Sequence, residues 1–163
     1  MALLKNLIAV FLAFAFTTGL SNARNAEPFV SVERSYYDIA GKTGRALKHQ
    51  MREKSPKGYW AYTRWNVHWT SDCDVAVTVR YTFPRIKDRA QVPLIIRKRF
   101  DRMLEKLVAH EEGHAEHGFA AAREIIAAEC KGAKKITSKW AQEDKAYDKA
   151  TDHGRKQGVQ LAD

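Results

Sequence analysis

An α+β fold, one antiparallel sheet packed on a long helix and a C-terminal helix, is predicted by three observations. Apolar residues alternate with period two in the first half of the chain, recur at helical spacing in the second, and no internal repeat or linker divides them. From Pro28 to Ile39 the residues Phe29, Val30, Val32, Tyr36, Tyr37 and Ile39 favour extended structure until Gly41 ends the run, giving a first strand. Lys42 to Lys54 carries Leu47 and Met51 four apart among Lys and Arg, and Ser55, Pro56, Lys57 and Gly58 close this short amphipathic helix. Tyr59 to Thr70 alternates through Trp60, Tyr62, Trp65, Val67 and Trp69. After the Ser71, Asp72 turn, Val75, Val77, Val79, Tyr81 and Phe83 alternate again, so the two runs form an antiparallel hairpin. After Pro84 the period becomes helical. Pro93 suits the first turn of a helix running through Phe100, Leu104, Leu107 and Val108 to Cys130, and Gly132 stops it. A last helix is expected after Ser138, from Trp140 past Tyr147, before Gly154 and Gly158 loosen the tail.

The 163 residues hold 28 Lys and Arg against 19 Asp and Glu, a net charge of +9, with 45% hydrophobic residues. That balance fits one globular domain and excludes collagenous, low-complexity and bulk-disordered chains. Residues 1–23 are set apart: Lys5 precedes an apolar stretch from Leu7 to Phe16, and Ser21 and Ala23 occupy small-residue positions. This is the pattern of a secretory signal cleaved after Ala23, too short in its apolar core to span a bilayer, so no stable membrane anchor is expected after cleavage. Residues 24–163 then form the domain. Export also makes a Cys73–Cys130 disulfide the default, with two buried thiols as the alternative.

His110, Glu111, Glu112, Gly113 and His114 form an HExxH sequence inside the long helix. Residues four apart on a helix differ by about 40° in direction and about 6 Å in rise, so both imidazoles reach one metal from the same face. Glu111, beside the first ligand, is placed to act on a water at the metal, and zinc accepts this donor set. A third protein ligand is required. His117 shares the face but lies about 10.5 Å beyond His110 along the axis, out of reach on an unbroken helix. Glu143 on the following helix is a further alternative. The preferred candidate is His153, because a returning helix would bring its end beside the first, and Gly154 permits a sharp turn there. Tyr147 is placed either to donate to an oxyanion or to pack in the core.

The export signal, the aromatic run from Tyr59 to Trp69, HEEGH at 110–114 and YDKATDHG at 147–154 together resemble the bacterial DUF922 family. The resemblance covers most of the exported chain. It implies a small zincin-like domain and a secreted zinc-dependent protease.

The expected function is therefore zinc-dependent hydrolysis of peptide or amide bonds outside the cytoplasm, in the periplasm or the medium. His110, His114 and His153 would bind Zn2+, Glu111 would serve as general base, and Tyr147 would support the oxyanion. The alternative is a non-catalytic exported module that binds metal or an anionic envelope polymer, since the chain without its signal retains about +8. The clusters Arg97, Lys98, Arg99, Arg102 and Lys134, Lys135 read as solvated helix faces, and Trp65 and Trp69 share the core side of one strand. No specific nucleic-acid partner is expected.

Overall fold

The computed structural model describes residues 27–163, so the signal segment at 1–23 and its cleavage after Ala23 lie outside the described residues. Strand β1 (Phe29–Ile39) leads to helix α1 (Gly44–Lys54), strands β2 (Tyr62–Trp69) and β3 (Val75–Ile86), and helices α2 (Leu94–Ala127) and α3 (Ala133–Thr151). This is the expected mixed α+β single domain. Thr43 caps α1, its hydroxyl oxygen accepting from the Ala46 amide, and Leu47 and Met51 are buried on its inner face.

The sheet order is β1-β3-β2. β2 and β3 pair antiparallel, from Tyr62 opposite Thr82 to Trp69 opposite Val75, as the hairpin reading requires. β1 corrects the expected all-antiparallel sheet, for it pairs with β3 in parallel, Phe29 opposite Ala76 through Ile39 opposite Ile86. A short turn dictates antiparallel pairing, but β1 reaches β3 only through α1 and β2, a connection long enough for either direction. β3 also continues past Pro84, where the sequence suggested a change of period. Lys87 donates to the Ile39 carbonyl, so by alternation the ring nitrogen of Pro84 faces away from β1, on the side where β2 pairing has already ended at Thr82. No ladder bond is lost there.

One face of the hairpin carries the core. Val75, Val77, Val79, Tyr81 and Phe83 of β3 are buried, and their β2 partners Trp69, Val67, Trp65 and Thr63 point the same way. Helix α2 lies across this face. Its inward stripe of Ile96, Phe100, Met103, Leu107, Ala115, Ala122 and Ile125 follows helical spacing, and Trp65 packs against Gly118. At about 50 Å for its 34 residues, α2 is the backbone of the molecule. α3 begins at Ala133, earlier than the Trp140 region predicted, because Glu129, Cys130 and Gly132, all in left-handed conformation (φ 50°, 58° and 71°), complete the reversal within a few residues. Trp140 then donates to Glu124, and further along Tyr147 meets Gly113, so α3 runs back antiparallel to α2.

A disulfide joins Cys73, in the β2–β3 turn, to Cys130, just beyond α2, across 57 residues of sequence. It ties the far ends of the sheet and the helix pair, and it fits a chain that matures in an oxidising compartment. Among the described residues, no helix is long and apolar enough to cross a membrane. The 57-residue span is worth about 4 kcal/mol in the chain-entropy account. Replacing both cysteines by serine should therefore lower the thermal midpoint by on the order of 10 °C, measured by calorimetry, and an unchanged midpoint would deny the bridge a structural role.

Candidate metal centre

The apolar stripe of α2 runs straight into the HExxH sequence, so its polar members occupy core positions. His110 is 4%, Glu111 5% and His114 8% exposed. Polar groups in such positions are costly unless each finds a partner, and every partner here comes from a neighbouring element.

Helix α3 supplies two aspartates with the same spacing as the two histidines. The Asp148 Oδ1 oxygen stands 3.3 Å from His110 Nε2 and 3.3 Å from His114 Nε2, while the two Nε2 atoms are themselves 3.3 Å apart. These three atoms make an equilateral triangle. A tetrahedral ion with ligand bonds of about 2.0–2.1 Å needs donor separations of about 3.3–3.4 Å, so His110, His114 and Asp148 can hold one metal ion as they stand.

The opposite edge of each imidazole is also fixed. His110 Nδ1 lies 2.8 Å from Gln157 Oε1, and His114 Nδ1 lies 2.8 Å from Asp144 Oδ1. Oxygen acceptors at both Nδ1 atoms favour a proton there, so Nε2 is the atom of each ring that faces Asp148 and becomes the ligand atom once it carries no proton. Gln157 is oriented in turn by Tyr147, whose hydroxyl accepts from Gln157 Nε2 at 3.0 Å and donates to the His110 carbonyl at 3.4 Å. The Tyr147 ring stacks on His110 with centroids 5.2 Å apart. A Cβ at Gly113 would fall 2.3 Å from the Tyr147 hydroxyl oxygen, which explains a glycine between the two histidines. Of the two roles open to Tyr147, the packed one is what its position serves: it braces the imidazoles from behind.

His153 is placed differently from the expected third ligand. α3 ends at Thr151, and Asp152, His153 and Gly154 all adopt left-handed backbone (φ 53°, 50° and 79°), which turns the chain away. The His153 side chain is 55% exposed, with Nδ1 3.2 Å from Asp148 Oδ1 and its ring beside Tyr59, and it stands outside the three-residue donor group. The reversal at Gly154 instead returns the chain against His110, since a Cβ there would lie 3.0 Å from the His110 ring, and this brings Gln157 into place. His117 pairs with Asp144 at 3.1 Å, and Glu143 is exposed on α3. Asp148 and Asp144 are the residues sequence reasoning missed. Their four-residue spacing, mirroring 110 and 114 on a helix already expected to return, was the available signal.

Glu111 points from α2 toward β2. Its Oε2 accepts from the Thr63 hydroxyl at 2.5 Å, a contact the period-two alignment of Thr63 with Trp65 makes necessary once the helix covers that face. Burial pushes the Glu111 carboxyl up, opposed by the Thr63 bond and the two imidazoles. Burial alone would likewise raise Asp148, but the His110 and His114 imidazoles beside it hold it well below the usual carboxylate range. For His114 burial pulls downward, yet Asp144 and Asp148 outweigh it and the imidazole is pushed up to about 10.

All of these groups open onto one cleft of about 810 Å3, whose walls include Thr63, His110, Glu111, His114, Asp144 and Asp148. The metal-free centre should hold a proton on His114 at neutral pH, a stabilisation present below the ordinary histidine value and lost as pH rises through about 10. An incoming ion must displace that proton, so affinity for a divalent metal should keep rising with pH up to about 10, with about one proton released per ion at neutral pH. Calorimetric titration in buffers of differing protonation enthalpy checks this; pH-independent binding without proton release would contradict it.

No curated protein and no solved structure matches this chain. The family model that does match is described as a bacterial protein of unknown function, and it spans residues 34–154, from within β1 to Gly154. That span takes in the end of β1, the β2–β3 hairpin, HEEGH and the α3 aspartates together, and the chain belongs to the DUF922 family of bacterial proteins.

Proposed function

We propose that the protein is an exported zinc-dependent peptidase. The observation that carries this reading is the meeting, in one cleft, of a three-donor group of tetrahedral dimensions with a buried carboxylate that is not one of the donors. A purely structural metal site is closed by four protein ligands, whereas three ligands and an adjacent base belong to catalysis. The disulfide supports export, as does the secretory pattern of residues 1–23.

Zinc, when bound, supplies Lewis-acid polarisation of a carbonyl and acidification of water. His110, His114 and Asp148 would hold it, with Gln157 and Asp144 fixing the two imidazole tautomers. Asp148 replaces His153 in this assignment because its oxygen already completes the triangle. His153 orients the Asp148 carboxylate from outside, through their 3.2 Å contact. Glu111 is the general base. The Thr63 bond to Oε2 fixes its plane and leaves Oε1 to take a proton from water and return it to the leaving amine, and burial raises its basicity toward the working range. Tyr147 acts by position, holding Gln157 and the His110 ring.

Two measurements test the reading. Elemental analysis of zinc-supplied protein should give near one zinc per chain, with a large loss in Asp148→Ala and near-full retention in His153→Ala. The reverse pattern would restore His153 as the third ligand, and no zinc in the parent protein would end the metal reading. Glu111→Gln should keep its zinc and lose about 10²- to 10⁴-fold in peptide hydrolysis. Full activity in that variant would remove Glu111 from the mechanism, and zinc retention without turnover in the parent would favour a non-catalytic metal-binding module.

A further inference from the structure

The floor and the rim of the cleft carry opposite charge. Glu111, Asp144 and Asp148 lie with the imidazoles at the floor, and Lys48, Arg52 and Lys57 on and after α1 and Lys145 and Arg155 on and after α3 supply the cations of the lining. Two of these cations are already paired with carboxylates, and a third is held by a phenol. Lys48 stands 3.5 Å from Asp163, Lys57 donates to the Tyr62 hydroxyl at 2.8 Å, and Arg155 is paired with Asp152. Arg52 and Lys145 are exposed and have no carboxylate partner among the described residues. They line the cleft from different elements, Arg52 on α1 and Lys145 on α3.

We propose that this cleft selects acidic peptide segments, with Arg52 and Lys145 as the specificity-determining residues. The inference rests on the peptidase reading and names its substrate class. The charge pattern distinguishes peptides from other polyanions. A peptide lays neutral amides over the carboxylate floor and extends its side-chain carboxylates to the cationic rim, where each meets an unpaired partner. A nucleic acid or phosphate polymer carries its charge along the backbone itself and would set it against Glu111 and Asp144. Tyr59, Trp60 and Tyr62 on the β2 wall add apolar surface that receives the stems of extended side chains.

The test is binding rather than turnover, so it is decided whether or not hydrolysis occurs. Zinc-supplied Glu111→Gln protein is titrated calorimetrically with three decapeptides of one design whose variable positions are Glu, Ser or Lys. The Glu peptide should bind about ten-fold more tightly than the Ser peptide and the Lys peptide most weakly, the scale expected of two rim ion pairs. Arg52→Ser combined with Lys145→Ser should abolish most of that preference, whereas Lys98→Ser with Arg102→Ser, on the exposed outer face of α2, should leave it intact. Equal binding of the Glu and Ser peptides, absence of binding by all three, or a preference that survives the cleft substitutions would overturn the proposal. So would an equal loss on the outer face, or displacement of the Glu peptide by an equimolar oligonucleotide, because either would assign the effect to overall charge. Zinc content and hydrolysis by the parent protein are measured separately, and their failure would remove the peptidase reading while leaving the binding preference to stand or fall by itself.

Discussion

The contact between the Asp148 carboxylate and the two imidazoles of α2 is the constraint on which the arrangement of this molecule depends. His110 and His114 sit in an apolar stripe at 4% and 8% exposure, where unpaired polar groups would cost more than their burial returns. They are acceptable because α3 passes at a height that sets Asp148 between the two rings and Asp144 beside His114, while Gln157 beyond α3 meets His110. The register of the two helices is therefore set by polar matching. Apolar packing contributes less, since Ala133 at its start is the fully buried residue of α3. Gly113 permits that register by clearing space for Tyr147, and the disulfide holds the distant end of α2 against the sheet.

The sheet contributes through alternation. Because Trp65, Val67 and Trp69 must face α2 to fill the core, Thr63 two residues earlier faces it too, and the nearest group on the helix is the carboxylate of Glu111. A core requirement thereby fixes the orientation of the Glu111 carboxylate. The parallel β1 lies on the far side of β3 and takes no part in this contact.

Much of this was legible in the sequence, and the boundary of legibility has physical causes. Features governed by local periodicity could be read directly, namely the hairpin, the long helix and the common face of His110 and His114, while the pairing of Cys73 with Cys130 followed from the expectation of export. The direction of β1 could not, since a long connection leaves parallel and antiparallel pairing equally accessible. Asp148 escaped because an aspartate on an amphipathic helix is ordinarily a solvated group, and only the partner helix brings it against the two imidazoles. His153 attracted attention as a histidine at the end of a returning helix, but three consecutive left-handed residues take it off the helical path. Gln157 was invisible for the same reason, since its position depends on the turn at Gly154.

Histidines at 110, 114 and 117 and aspartates at 144 and 148 form an interleaved ladder, with each carboxylate between two successive imidazoles. This creates two groups of metal-binding composition, His110–His114–Asp148 and His114–His117–Asp144, which share His114. They exclude each other. A neutral imidazole has one lone pair, and the contacts that hold a proton on His114 Nδ1 toward Asp144 make Nε2 the ligand atom toward Asp148. Binding in the second group would require the opposite tautomer and would leave Nε2 carrying hydrogen against the Asp148 side. The first group contains both fully buried histidines, adjoins Glu111 and lines the cleft, whereas His117 does not reach the cleft wall. The ladder thus resolves into one group able to hold an ion, with Asp144 bracing His114 from the other side and His117 beyond it.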